Sequence, residues 1–275
     1  MKLFIFANTT QESRIAAALR CITLLEKNCG AKCVMSAADS ETMLGNGEYA
    51  GDAADCSMVV AVGGDGTVLR AAKLAAQHDI PVVGINTGRL GYLCALELAE
   101  MESAGPDIFD KLNVSERMLL SFQHDGRTCY ALNDVVIAKG SFGTSVALQV
   151  LLAGEEYNFW RGDGVIIATP TGSTSYNMSA GGPVVDPAID AVLLTPICPH
   201  LSAPRSTVIA PDCPVTVRLQ PSPDNEARIY ADGVEIGKLQ SELTVSRSER
   251  RLKLLTGGNK LLKLHRQQII INGGK

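Results

Sequence analysis

The sequence predicts an α/β first part, built on an open and mostly parallel sheet, followed by a β-rich second part. Three observations carry this. The first hundred residues alternate short apolar runs with stretches of helical period. One of those runs, Ile80-Pro81-Val82-Val83-Gly84-Ile85, is nearly all apolar, as expected of a parallel strand covered on both faces. Beyond about residue 115 the period shortens, and turn pairs such as Asp125-Gly126 and Asp232-Gly233 separate the apolar runs.

In order, residues 2–7 read as a first buried strand. Thr9 and Glu12 have capping-box spacing, and Ile15, Leu19 and Ile22 then mark one helical face. A second strand falls near residues 31–35. Residues 36–55 are small and polar, a loop with room for a short helix. Strand 57–62, a glycine loop at 63–67, helix 68–78 and strand 80–85 follow. In the second part, 117–123 and 128–139 meet across a hairpin. Further strands are expected at 147–152, 165–168, 215–219, 227–230, 242–246 and 251–255. The expected domains are 1–100 and 101–257, with a C-terminal segment, 258–275, that either continues the β-rich part or returns to the first.

Composition bounds the function. The 275 residues are 46% hydrophobic and 20% charged, with a net charge of −4. That is ordinary for a soluble domain, and no basic stripe invites nucleic acid. No apolar run approaches the ~20 residues that span a bilayer, and the first eight residues turn polar too soon for a signal peptide. The eight cysteines form neither a C-x-x-C pair nor a zinc-spaced cluster with histidine. They read as reduced, mostly buried thiols of a cytoplasmic protein. The four histidines (His78, His124, His200, His265) are dispersed and suggest no catalytic triad.

The most informative segment is Gly63-Gly64-Asp65-Gly66-Thr67. A strand that feeds a glycine turn into a helix N-terminus offers backbone amides to an anion. Asp65 is out of place in a loop that only holds phosphate, because a carboxylate repels it. It makes sense as a Mg²⁺ ligand, a proton acceptor or a hydrogen-bond partner of a sugar hydroxyl. Arg70 and Arg161 are available to offset the overall negative charge around an anionic ligand. Three further segments stand out. Residues 86–93, with Asn86, Gly88, Gly91 and Tyr92, lie at the same sheet end and suit a nucleotide edge or an ordinary βα loop. Asn133-Asp134 interrupts an apolar run, either as a ligand contact or as a bulge or strand start. Arg161-Gly162-Asp163-Gly164 leads into a strand and then a loop dense in hydroxyls and glycines, Thr169 to Pro183.

Together and in this order, these segments resemble the NAD kinases. The resemblance is carried by Gly63–Thr67, Asn86-x-Gly-x-Leu90-Gly91-Tyr92, Leu132-Asn133-Asp134, Asp163-Gly164, Thr171-Gly172-Ser173-Thr174-x-Tyr176, Ser179-Ala180-Gly181-Gly182-Pro183 and the segment 196–200. It implies transfer of a phosphoryl group from ATP, or polyphosphate, to the 2′-hydroxyl of the adenosine ribose of NAD, with Mg²⁺ or another divalent cation on the donor. It implies Asp65 as general base, with Gly63, Gly64, Gly66 and Thr67 around phosphate. Gly66, Arg70 and Tyr92 would meet the dinucleotide. Asn133, Asp134, Arg161 and Asp163 would hold a ribose diol or the nicotinamide side. Thr174, Ser175, Tyr176 and Ser179 would line the adenine-ribose region, and Cys198 stands where the family often has a small residue. It also implies a homodimer or homotetramer. Asp134 replaces a frequent Glu, Ser175 an Ala and Tyr92 a Phe. A diacylglycerol-type lipid kinase shares the GGDGT loop, but no basic amphipathic helix is evident for a membrane surface. A non-catalytic NAD(P)-binding regulator would use the same scaffold.

Overall fold

Strand β1 (Lys2–Ala7) buries Leu3, Phe4 and Ile5 and leads into helix α1 (Glu12–Cys29). We describe the protein from a computed structural model, which covers residues 1–88, 91–141, 143–200, 204–222 and 225–257. The expected strand or segment at 258–275 lies outside the described residues.

Helix α1 buries Ala18, Cys21, Ile22, Leu25 and Cys29, a stripe of helical period. Ile15 and Leu19 of the expected face are only half-buried at its margin. The capping box does not form. The N-cap is Gln11, with no side-chain bond, so Glu12 opens the helix and cannot reach back as a third residue would. Thr10 instead closes on Asn8. Strand β2 (Lys32–Val34) follows, then helix α2 (Ala37–Leu44), capped by the Ser36 side chain.

Strand β3 (Met58–Val62) is wholly buried and leads directly into helix α3 (Asp65–His78). The glycine loop is therefore shorter than expected. Asp65, Gly66 and Thr67 already belong to the first helical turn, where an acidic residue is favoured by the helix dipole. Gly63 has φ 152°, and a Cβ there would strike Thr67 Oγ1, so only glycine fits. Strand β4 (Val82–Asn86) is also wholly buried, and a Cβ on its Gly84 would lie 2.7 Å from Val68 Cγ2 of α3. The short strand β5 (Leu96–Glu97) pairs with β4.

These strands pair in parallel in the order β2-β1-β3-β4. Chain order reverses between β1 and β3, the kind of switch point at which open α/β sheets bind ligands. The core beneath includes Leu3, Ile5, Leu25, Val60, Ile85 and Met101. This first unit runs to Glu116 and takes in residues 252–257 at the end of the described chain.

The second unit, Arg117–Arg251, is almost entirely β. Strand β6 (Asn113–His124) turns at Asp125-Gly126 into β7 (Arg127–Ala131). The expected single run 128–139 is two strands, because β8 (Asp134–Lys139) leaves for another sheet. Then come β9 (Val146–Leu152), β10 (Glu155–Gly162), β11 (Gly164–Ala168), the short helix α4 (Tyr176–Ser179), β12 (Val192–Ile197) and β13 (Thr207–Ile209). Strands β14 (Val215–Leu219), β15 (Ala227–Ala231), β16 (Val234–Lys238) and β17 (Glu242–Thr256) complete it. The two expected strands at 242–246 and 251–255 are one continuous strand, and β10, β12, β13 and β16 are additions to the expected set.

One antiparallel sheet has the order β13-β12-β11-β8-β15-β16; in the other, β9 lies between β10 and β14, and β14 pairs with β17. The core between them includes Leu120, Val135, Ile137, Leu148, Trp160, Val165 and Val217. Alternation turns the next residues outward. Val136, Ile166, Ala168 and Leu193 form a second, outer cluster beneath Ala180, Val185 and Tyr230.

Candidate active site

In the first unit, a cleft of about 560 Å³ opens at the carboxyl ends of β1, β3 and β4. Its wall includes Asn8, Arg14, Gly64, Thr67, Arg70 and Asn86. The N-termini of both α1 and α3 meet it, and neither is capped by a side chain. Their amides and the two guanidinium groups give the cleft a positive character that suits an anion. Arg70 is steadied by the Phe6 ring, 5.9 Å from its Cζ, and by its Nε donating to Gly66 O at 3.4 Å. Arg14 was not among the residues expected from the sequence. It lies in an otherwise ordinary amphipathic helix, and only the sheet order brings it beside the glycine turn.

Asp65 turns its carboxylate to residues 92–93. Oδ2 accepts the Tyr92 N–H at 2.7 Å and Oδ1 the Leu93 N–H at 2.8 Å. Each oxygen keeps acceptor capacity for a hydroxyl. Gly91 leaves it room, since a Cβ there would meet Oδ1 and force the carboxylate to shift. Asn86 is structural. Its amide donates to both oxygens of Glu97 (3.1 and 2.9 Å) and to Gly88 O (3.1 Å), which folds the loop on itself. Tyr92 therefore serves Asp65 through its backbone N–H.

In the second unit, Asn133 and Asp134 mark the start of β8 and are 8% and 4% exposed. The interruption in the apolar run is a strand start and not a bulge, which leaves the ligand contact open. Asp134 pairs with Ala168 and shares the outward alternation of Val136. Near it lies Tyr176, whose phenol is pushed above its usual range by burial and then by Cys198, Asp163 and Asp134. Cys198, Asp163 and Asp134 therefore lie within electrostatic reach of the Tyr176 phenol. Asp163 also binds Lys139 Nζ at 2.7 Å, a partner the sequence did not suggest. Arg161 is exposed, and its carbonyl accepts the His200 N–H at 2.7 Å. The Asp163 N–H donates to Ile197 O at 2.9 Å. A Cβ at Gly162 would approach within 2.8 Å of Ile197 O and Cys198 O. That glycine lets Arg161, Asp163 and Cys198 share one edge.

The hydroxyl-rich stretch divides into two sets. Thr169, Thr171, Ser173 and Asn177 are buried. Ser173 Oγ bonds Val185, and Asn177 joins Ser173, Pro183 and Thr195. They tie the loop together. Thr174, Ser175, Tyr176 and Ser179 are left half-buried or exposed, so these expected ligand contacts are the ones free of the internal knot. No group of three or more His, Cys, Asp or Glu side chains among the described residues makes a preformed metal cage.

Family models match both parts of the chain. The ATP-NAD kinase N-terminal domain matches residues 49–111, and the ATP-NAD kinase C-terminal domain matches residues 132–257. The chain belongs to the NAD kinase family. Its members are phosphotransferases, and so is this protein. An NAD kinase of Lachnoclostridium phytofermentans is 33% identical over 267 residues, covering 92% of this chain and 93% of that protein. One of Bacteroides fragilis is 32% identical over 267 residues, with 93% and 92% covered. The fold is also that of yeast NADH kinase complexed with NADH (TM-score 0.78, 22% identity, 93% of this chain and 83% of that one). An Archaeoglobus fulgidus NAD kinase in complex with ATP shares it as well (TM-score 0.75, 24% identity, 96% and 97% covered). Neither the lipid-kinase nor the regulator reading gains support from these comparisons.

Proposed function

We propose that this NAD kinase family member transfers the terminal phosphoryl group of ATP to the 2′-hydroxyl of the adenosine ribose of NAD, giving NADP and ADP. The observation that carries the mechanism is Asp65, a carboxylate in the first turn of α3 oriented by two backbone N–H groups. It takes the 2′-hydroxyl proton as the ribose oxygen bonds to the γ-phosphorus and the bond from that phosphorus to the β–γ bridging oxygen breaks. Phosphoryl transfer depends mainly on positioning and charge neutralisation, which this chain supplies without a Walker-type lysine.

The donor's phosphates occupy the cleft of the first unit, against Arg14, Arg70 and the amides around Gly64 and Gly66. Polyphosphate suits the same cleft. Mg²⁺ characteristically binds through one or two carboxylates plus substrate phosphates, so the lack of a described side-chain cage fits an ion that arrives on the donor. Bound there, it would neutralise phosphate charge. Asn133 and Asp134 bind the dinucleotide's hydroxyls, with Tyr176, Asp163, Arg161 and Cys198 around them. Thr174, Ser175 and Ser179 supply exposed hydroxyls nearby. The enzyme works in the cytoplasm as a homodimer or homotetramer.

The test is a substrate-omission assay, with NADP read by an NADP-specific dehydrogenase. NADP should form only when NAD, Mg²⁺ and either ATP or polyphosphate are all present. No NADP with any donor would reject the proposal.

A further inference from the structure

Asp232 has no part in the chemistry above. It occupies the turn between β15 and β16 with φ 50°, where Asp-Gly reads as an ordinary hairpin corner. Its carboxylate does not simply face water. Oδ1 accepts the Asn133 N–H at 2.7 Å and the Asp134 N–H at 3.3 Å, and Oδ2 accepts the Leu132 N–H at 3.0 Å. The Asp232 N–H donates in return to Asp134 O at 3.0 Å. One side chain thus gathers successive amides at the break between β7 and β8. There the ladders lapse, and buried N–H groups need another acceptor.

The opposite side of this segment is held as well. The Thr169 N–H donates to Asn133 O at 2.8 Å, and Thr169 Oγ1 donates to Leu132 O at 2.6 Å. Gly172 packs so closely on the Asn133 carbonyl that a Cβ would overlap it. The peptide planes of Asn133 and Asp134 are clamped between the β15–β16 turn and the Thr169–Gly172 segment. Only a carboxylate accepts through both oxygens; an amide side chain accepts through one.

The geometry points to Asp232 as a positioning residue that sets Asn133 and Asp134 for the dinucleotide. This rests on the reading that Asn133 and Asp134 bind NAD. Asp232 touches no substrate, and its effect is transmitted through the backbone of the residues that do. Its loss should weaken NAD and leave the ATP cleft unaffected, since the groups lining that cleft belong to other segments.

Two variants test this. Asp232→Asn keeps the size and tolerates the left-handed φ. Asp232→Gly relieves the backbone and removes the carboxylate. Dissociation constants for NAD, KM for NAD and for ATP, and melting temperature are measured for both, with Asn133→Ala beside them. The expected result is a rise of about ten- to a hundredfold in the NAD constants, the range of a lost charged hydrogen bond. KM for ATP should stay near wild type, while the melting temperature falls modestly in both because the amides lose an acceptor. Wild-type NAD affinity in both Asp232 variants, with Asn133→Ala weakened, would overturn the positioning role alone. So would an equal rise in both KM values, the signature of a merely structural residue. Wild-type NAD affinity in Asn133→Ala would instead overturn the NAD reading, and the positioning role with it.

Discussion

Asp65 and Gly91 are a pair that substitution can separate. The Asp65 carboxylate needs the room that Gly91 leaves. Gly91→Ala should therefore displace the proposed base without deleting it. Steady-state kinetics should show kcat reduced at least about tenfold, short of the ~10²–10⁴-fold of outright general-base loss, while KM for ATP changes little. Unchanged kcat would show that Asp65 tolerates displacement. At this scale the sequence was partly legible. A carboxylate in a glycine turn that opens a helix is conspicuous, so Asp65 draws attention as a candidate base. Asp232 could not, because a turn Asp-Gly looks the same whether its carboxylate meets water or the amides of Leu132–Asp134. Asn177 was hidden for a similar reason. Its neighbours' hydroxyls suggest a ligand, but half of them close the loop on itself.

Elements follow the hydrophobic pattern where burial dominates and depart from it where pairing does. The parallel strands β3 and β4 were legible because both faces are buried. Strand β10 was not, since its first three residues, Glu155, Glu156 and Tyr157, are exposed. The break between β7 and β8 was also hidden, because one apolar run serves two sheets. Strand β17 was expected as two, since Arg247, Glu249, Arg250 and Arg251 interrupt its apolar pattern. Arg247 and Arg251 are held by Asp190, which Arg251 contacts through Nη1 and Nη2 at 2.7 and 2.9 Å. The Arg251 hydrogen bonds hold the Asp190 carboxyl below its usual range, with Arg247 adding to them. Asp190 therefore favours the folded state above the ordinary carboxyl pKa of about 3.9. That contribution fades as pH falls through the depressed folded value. Urea unfolding from pH 7 down to pH 3 should show a smaller acid-side loss of stability in Asp190→Asn than in wild type. Parallel pH curves would contradict this.

At the scale of the whole molecule, the change from α/β to β-rich was legible because the period itself changes. What lies outside pattern reading is which distant segments share a place. Arg14 joins the Gly63–Thr67 turn only because β1 and β3 are neighbours. The cysteines, by contrast, are mostly buried and not joined in disulfides, as the sequence suggests. Five are buried, and burial, reinforced by neighbouring thiols and carboxylates, pushes Cys21 and Cys33 up to about 12. Buried thiols of raised pKa are poor nucleophiles. An aromatic disulfide reagent at pH 8 should modify exposed Cys198 first. Cys21 and Cys33 should react only on unfolding, and peptide mapping would reveal the order. Fast labelling of Cys33 in the native protein would contradict the packing of the first unit.

The most direct test of the central claim is turnover by Asp65→Asn at saturating NAD and ATP, with its melting temperature as the control for folding. The expected result is a folded protein whose kcat is ~10²–10⁴-fold below wild type, the cost of removing a general base. A folded Asp65→Asn protein that makes NADP at nearly the wild-type rate would contradict it.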